Sequence, residues 1–144
     1  MPFSPADVWR VLRDVAAYPD WWPGRLRLKV LRAEREFVGS EVELRPFGGQ
    51  PFRCRIDAAD EPRAITTRYF GGFITGRGVW RLEPSDSGTR VRYELDVVAE
   101  GVVVAALARI VDLGRLHSRL MRDVFAGLQG ALDSRHVQAR ATPG

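Results

Sequence analysis

The sequence predicts a single α+β domain in which a curved antiparallel sheet holds one long C-terminal helix on its apolar face. Three changes of hydrophobic period predict it. Apolar residues recur at helical spacing near the N-terminus, alternate with polar ones from Gly24 to Gly101, and return to a spacing of 3.6 from about Val102 to Arg135. A chain of 144 residues is of ordinary single-domain size and buries a core without covalent staples.

Ser4, Pro5 and Asp7 form a helix start, with a hydroxyl cap, a proline in the first turn and an acid at the positive end of the dipole. Val8, Val11, Leu12 and Val15 then predict an amphipathic helix from Pro5 to Val15. A second short helical turn or tight loop carries Tyr18, Pro19, Trp21, Trp22 and Pro23, whose prolines prevent a long element. Strands follow from the alternation of Leu26, Leu28, Val30; Val42, Leu44; Phe52, Cys54, Ile56; Ile65, Thr67, Tyr69; Trp80, Leu82; and Val91, Tyr93, Leu95, Val97 with polar neighbours. Turn formers separate them at Gly39, Phe47 to Pro51, Glu61-Pro62, Gly71-Gly72 and Ser85 to Gly88. On the final helix, Val103, Leu107, Ile110, Met121, Val124, Phe125, Leu128 and Leu132 share one face, opposite Asp112, Arg115, Arg119, Arg122 and Asp123. The period ends at Arg135, so the domain is expected over 1–135 and a frayed tail over 136–144.

Composition excludes several classes. With 45% hydrophobic and 28% charged residues, the chain is neither disordered nor fibrous. Cys54 is the only cysteine, which rules out an internal disulfide and a cysteine-built zinc site and makes a reducing cytoplasm the expected location. No secretory signal pattern is seen at the N-terminus, and no apolar run reaches the roughly 18 residues of a transmembrane span. The net charge of +4 raises the question of nucleic acid. However, the arginines alternate along strands (Arg25, Arg27; Arg53, Arg55; Arg90, Arg92) where Glu43, Asp57, Glu94 and Asp96 hold similar places, so a solvated sheet face is expected and no nucleic-acid partner.

Val8-Trp9, Val11-Leu12, Asp14-Val15, Tyr18-Pro19 and Trp21-Trp22-Pro23 stand at the spacing V-W-x-V-L-x-D-V-x-x-Y-P-x-W-W-P. This block resembles the START-like, helix-grip (SRPBCC) superfamily, in particular its polyketide cyclase and dehydratase branch. Gly76, Gly78, Trp80 and Leu82, then Gly88, Thr89, Val91 and Tyr93, look like the late hairpin of that family. The resemblance implies a sheet of six to seven strands wrapped around the terminal helix, two short N-terminal helices, and a ligand cavity between sheet and helix. Because the superfamily holds cyclases, dehydratases, lipid carriers and hormone receptors, the fold leaves the activity open. The resemblance also implies a strand before the helix that starts at Ser4, lying beside the final strand. Only Met1, Pro2 and Phe3 stand there, so the last strand is expected either to be covered by these residues or to pair in a homodimer.

The alternation directs Cys54, Thr67, Tyr69, Trp80 and Tyr93 into the cavity amid aliphatic neighbours, which suits an aromatic or acyl ligand rather than a sugar phosphate. His117 falls within roughly 20° of the centre of the helix's apolar face, where an imidazole orients a carbonyl or serves as acid or base; a core histidine satisfied by Tyr69, Tyr93 or water is the plainer reading. Gly114 leaves a notch beside it, and Met121 and Phe125 continue its face. Trp22 stands at the cavity mouth, where packing is the plainer role. Arg68 lies on the wet face by alternation, yet beside Tyr69 and the glycine-rich turn it is within reach of an anionic group at the rim, subject to a bulge that would displace the strand's phase. Gly71, Gly72, Gly76 and Gly78 lack a phosphate-loop spacing and serve sheet curvature. Two histidines without a carboxylate cluster make no metal site, no cofactor is expected, and Cys54 in an apolar row is no nucleophile. Three readings stay open: a carrier of a polyketide-like or lipid-like molecule, a cyclase or dehydratase using His117, and a quinone-binding or partner-binding protein that exposes Trp21 or Trp22.

Overall fold

The computed structural model describes residues 1–99 and 113–141, and the side chains of 1–98 and 118–138. Helix α1 (Pro5–Arg13) starts as its cap predicts, with Ser4 Oγ accepting the Asp7 N–H at 3.2 Å. It ends at Arg13 instead of Val15. The Asp14 N–H bonds to Val11 O, the backbone leaves helical geometry there, and a 3-10 turn (Val15–Ala17) leads into α2 (Tyr18–Trp21). The tightening keeps Val15 on the buried side with Val8, Trp9, Val11 and Leu12.

Six antiparallel strands follow in sequence order across one sheet: β1 (Leu26–Arg32), β2 (Glu41–Pro46), β3 (Phe52–Asp60), β4 (Ala64–Phe70), β5 (Ile74–Ser85) and β6 (Gly88–Ala99). The alternation behaves as expected. Val42, Leu44, Phe52, Cys54, Ile56, Ile65, Thr67, Trp80 and Leu82 are buried, and Arg27, Arg53, Arg68 and Arg81 between them are exposed. A register shift between Ile56 and Ala58 leaves Asp57 as the extra residue of a bulge. Burial alone would raise the Asp57 pKa, but hydrogen bonds from Arg68 Nε at 2.9 Å and Arg55 Nε at 2.7 Å outweigh it and hold the carboxyl below its ordinary value. Arg68 is thus exposed on the wet face, paired with the bulge residue.

Helix α3 (Leu113–Ala141) lays Val124, Leu128 and Leu132, none more than 2% exposed, into the core formed by the sheet and α1. Each such burial contributes about 1.5–3 kcal/mol. The apolar positions Val103, Leu107 and Ile110 lie outside the described residues. At the other end the helix runs to Ala141, past the expected tail boundary at Arg135, and His136 stands edge-on to Phe3 with centroids 6.0 Å apart. Once the docked part of a helix is formed, each further turn adds hydrogen bonds at little cost, so it needs no apolar stripe to continue.

Two glycines of α3 have opposite surroundings. A Cβ on Gly127 would collide with the Trp21 carbonyl oxygen, whereas one on Gly130 would meet nothing within 4 Å. Gly127→Ala is therefore expected to destabilise the fold by about 1–3 kcal/mol through overpacking. Gly130→Ala should stabilise it by about 0.5–1 kcal/mol through helix propensity. Urea unfolding of the two variants tests the close approach of α2 to α3; equal stability would overturn it.

Candidate functional site

The inner face of β3, β4, β5 and β6 gathers hydroxyl groups in an apolar setting. The register sets Thr67 opposite Gly78 and Trp80 opposite Tyr93. Gly78 has no side chain, and the Tyr93 hydroxyl and Thr67 Oγ1 occupy the space where a Cβ would stand. Thr67 Oγ1 donates to the Gly78 carbonyl at 3.1 Å and lies 3.4 Å from the Tyr93 hydroxyl, which is hydrogen-bonded to the Tyr69 hydroxyl.

The direction of this chain follows from counting protons. Thr67 spends its single hydroxyl proton on Gly78, so it accepts from Tyr93; Tyr93 has then spent its own and accepts from Tyr69. Only the Tyr69 end remains open to a ligand. Aromatic rings wall the chain: Trp80 lies 4.9 Å from Tyr93 and 5.9 Å edge-on from Phe125, and Phe52 lies 5.7 Å from Tyr69 and 5.6 Å from Phe73. Cys54 sits beside Thr67, buried in the same row as Phe52 and Ile56.

The cluster is uncharged near neutral pH. Burial pushes the Cys54 thiol up to about 12, with Thr67 opposing only in part and Asp57 adding to the rise. Burial, with the nearby Cys54, also raises Tyr93 well above the ordinary phenol range, and the same two causes raise Tyr18. A thiol this hard to ionise is a poor nucleophile.

Of the residues singled out from the sequence, Cys54, Thr67, Tyr69, Trp80, Tyr93 and Phe125 come together here. Met121 is half-buried against the same core. Trp22 belongs to a separate aromatic group on α2, stacked on Tyr18 at 5.7 Å with Trp21 at 5.3 Å. The indole N–H groups of both tryptophans are buried, with no hydrogen-bond partner among the described residues. The surroundings of Gly114 and the side chain of His117 lie outside the described residues, although both positions are on α3. Sequence reasoning missed Tyr18 as a site neighbour: it is buried, its hydroxyl donates to the Leu12 carbonyl, and burial, with the nearby Cys54, raises its pKa. Its place in the N-terminal aromatic motif was the available signal. A solvent-open groove lined by Pro5, Pro62, Ala64, Leu82 and Pro84 lies further along β4 and β5 and contains none of these hydroxyls.

The raised pKa values set an alkaline limit. Between 9.0, the ordinary thiol value, and about 12, the unfolded chain releases the Cys54 proton while the folded chain keeps it. Stability from this group is complete below pH 9 and falls as pH climbs toward 12, by up to about 1.4 kcal/mol per pH unit. The melting temperature should therefore hold level from about pH 7 to 8.5 and drop steeply above 9. A flat profile to about pH 11 would contradict the neutral, buried thiol.

Solved structures with the same fold share little sequence. The aromatase/cyclase ZhuI from Streptomyces sp. R1128 superposes with a TM-score of 0.67 at 22% identity, covering 93% of this chain and 89% of that one. A protein from Thermus thermophilus gives 0.65 at 21%, covering 96% and 93%. A point mutant of Thalictrum flavum norcoclaurine synthase, solved with a transition-state analogue, gives 0.59 at 14%, covering 90% of each chain. At these identities the likeness establishes the fold alone. No functionally curated protein matches the chain. Residues 1–132, which carry the N-terminal aromatic block, the hydroxyl-bearing sheet and most of α3, match one family throughout, and the chain belongs to it: polyketide cyclase / dehydrase and lipid transport.

Proposed function

We propose that the protein binds an uncharged aromatic or acyl molecule, polyketide-like or lipid-like, between the inner sheet face and the C-terminal helix, with a phenol, enol or alcohol O–H of the ligand donating to the Tyr69 oxygen at the open end of the hydroxyl chain. The observation that carries this reading is that chain itself: three hydroxyls, all neutral, with one open end, inside a wall of aromatic rings. An apolar pocket with a few orienting hydrogen-bond groups is the usual form of a small-molecule site. A cytoplasmic setting suits a chain whose single thiol is free and buried.

The family's description and the fold of the ZhuI aromatase/cyclase favour a second reading, in which the bound chain is also cyclised or dehydrated. The described cluster supplies positioning and one hydrogen-bond acceptor, but Cys54 and Tyr93 are both raised away from neutrality. His117 is the acid or base in this reading. A quinone-binding or partner-binding role called for exposed Trp21 or Trp22; both are half-buried and packed on Tyr18, which gives that role no support.

Native mass spectrometry of freshly purified protein should reveal a retained small molecule, and a neutral apolar fluorophore should bind with a micromolar dissociation constant. Tyr69→Phe should weaken a ligand that carries a phenol or alcohol O–H by roughly 3- to 10-fold, the worth of one hydrogen bond, and leave a pure hydrocarbon probe unchanged. Failure of every apolar probe to bind would sink the carrier reading. His117→Ala separates carrier from enzyme: an enzyme loses turnover with its melting temperature held, whereas a core histidine loses stability first.

A further inference from the structure

We propose that β6 pairs with β6 of a second copy of this chain, in a two-fold register centred on Tyr93. This stands independently of the ligand reading. In the sheet, β6 is an edge strand of 12 residues. Among the described residues its outer side is met only at its start, where the Met1 ammonium donates to Thr89 O at 2.8 Å, the Thr89 N–H donates to Met1 O at 2.9 Å, and Thr89 Oγ1 donates to Phe3 O at 2.6 Å. Beyond that point nothing among the described residues pairs with the outer edge, and an edge of this length is a template for another strand.

Parity fixes which backbone groups are offered. In an antiparallel ladder the N–H and C=O of one residue point the same way, and successive residues alternate. Thr89 points outward, to Met1, and the β5–β6 register runs unbroken from Ile74↔Ala99 to Ser85↔Gly88. The backbone groups of Val91, Tyr93 and Leu95 therefore point outward as well, while those of Arg90, Arg92, Glu94 and Asp96 are committed to β5.

Charge then selects the partner and the register. The exposed face of β6 reads Arg90, Arg92, Glu94, Asp96, two cations followed by two anions. When the strand is reversed about Tyr93, Arg92 of one copy faces Glu94 of the other and Arg90 faces Asp96. These pairs, each made twice about the dyad, fall at the non-hydrogen-bonded positions, where cross-strand side chains approach most closely. Tyr93 meets Tyr93 and Val91 meets Leu95 at the hydrogen-bonded positions, and Met1 closes the ladder at each end. A slip by one residue would send the inner face outward, and a slip by two would break the charge match. On the inner face the pairing brings the two Tyr93–Tyr69 hydroxyl chains to neighbouring positions across the dyad.

The test uses charge reversal in sedimentation and light scattering at low salt. The wild-type chain should have twice its 16.2 kDa mass and dissociate as salt rises. Arg92→Glu sets its new carboxylate against Glu94 of the other copy and should be monomeric. Glu94→Arg sets its new guanidinium against Arg92 of the other copy and should be monomeric too. Mixed, the two variants present only opposite charges to each other at these positions and should regain the double mass as a heterodimer, which misfolded variants could not do. Amide exchange should slow at Val91, Tyr93 and Leu95 on dimerisation. Three results would each overturn the proposal: a wild-type monomer at about 100 μM in low salt, a dimer that persists in both single variants, or slow exchange at these amides in the monomer, which would mean that the chain covers its own edge.

Discussion

A sheet with one apolar face must have that face covered, and nearly everything in this fold follows from how the cover is made. Val124, Leu128 and Leu132 of α3 supply the tight part of it, and α1 adds Val8 and Leu12. Burial lessens toward β6, where Val91, Tyr93, Leu95 and Val97 are only half-buried, as are Met121 and Phe125 on the helix. The core is thus densest on one side of the grip, and the hydroxyls lie where it loosens.

Polar atoms placed on that loosening face have two ways to be satisfied, each other or a guest. Thr67, Tyr93 and Tyr69 use the first route and leave the second available at one end. No fixed charge takes part. Whatever chemistry accompanies binding has to come from holding a flexible molecule in one shape, or from a titratable group outside the described cluster. The same neutrality discriminates between guests: an ionised one would lose its hydration and find no counter-charge among these hydroxyls.

The strands were legible because period two is a direct image of one buried face, and the inward rows through Val42, Cys54, Thr67, Trp80 and Tyr93 appear in the structure as the alternation has them. The long helix was legible for the same reason over Met121 to Leu132. Its continuation to Ala141 was not, since a solvated helix needs no apolar stripe. The ending of α1 at Arg13 turns on one backbone hydrogen bond at Asp14 that no side-chain pattern records. The hydroxyl chain was half legible: its members were picked out singly, but their meeting depends on cross-strand register, and β3 contains a bulge at Asp57 that shifts which residue faces which. Tyr18 was read as part of a motif because its hydroxyl reaches the core from a helix, outside the rule that sorts strand residues.

Gly78 carries a consequence for comparing this chain with its relatives. The Thr67 and Tyr93 hydroxyls meet only because the residue between them on β5 has no side chain. A homologue with alanine or anything larger at the equivalent place cannot keep the same arrangement, even if it retains both tyrosines and the threonine. One aligned position therefore sorts the family's members into those that can form this hydroxyl chain and those that cannot, before any of them is crystallised or assayed.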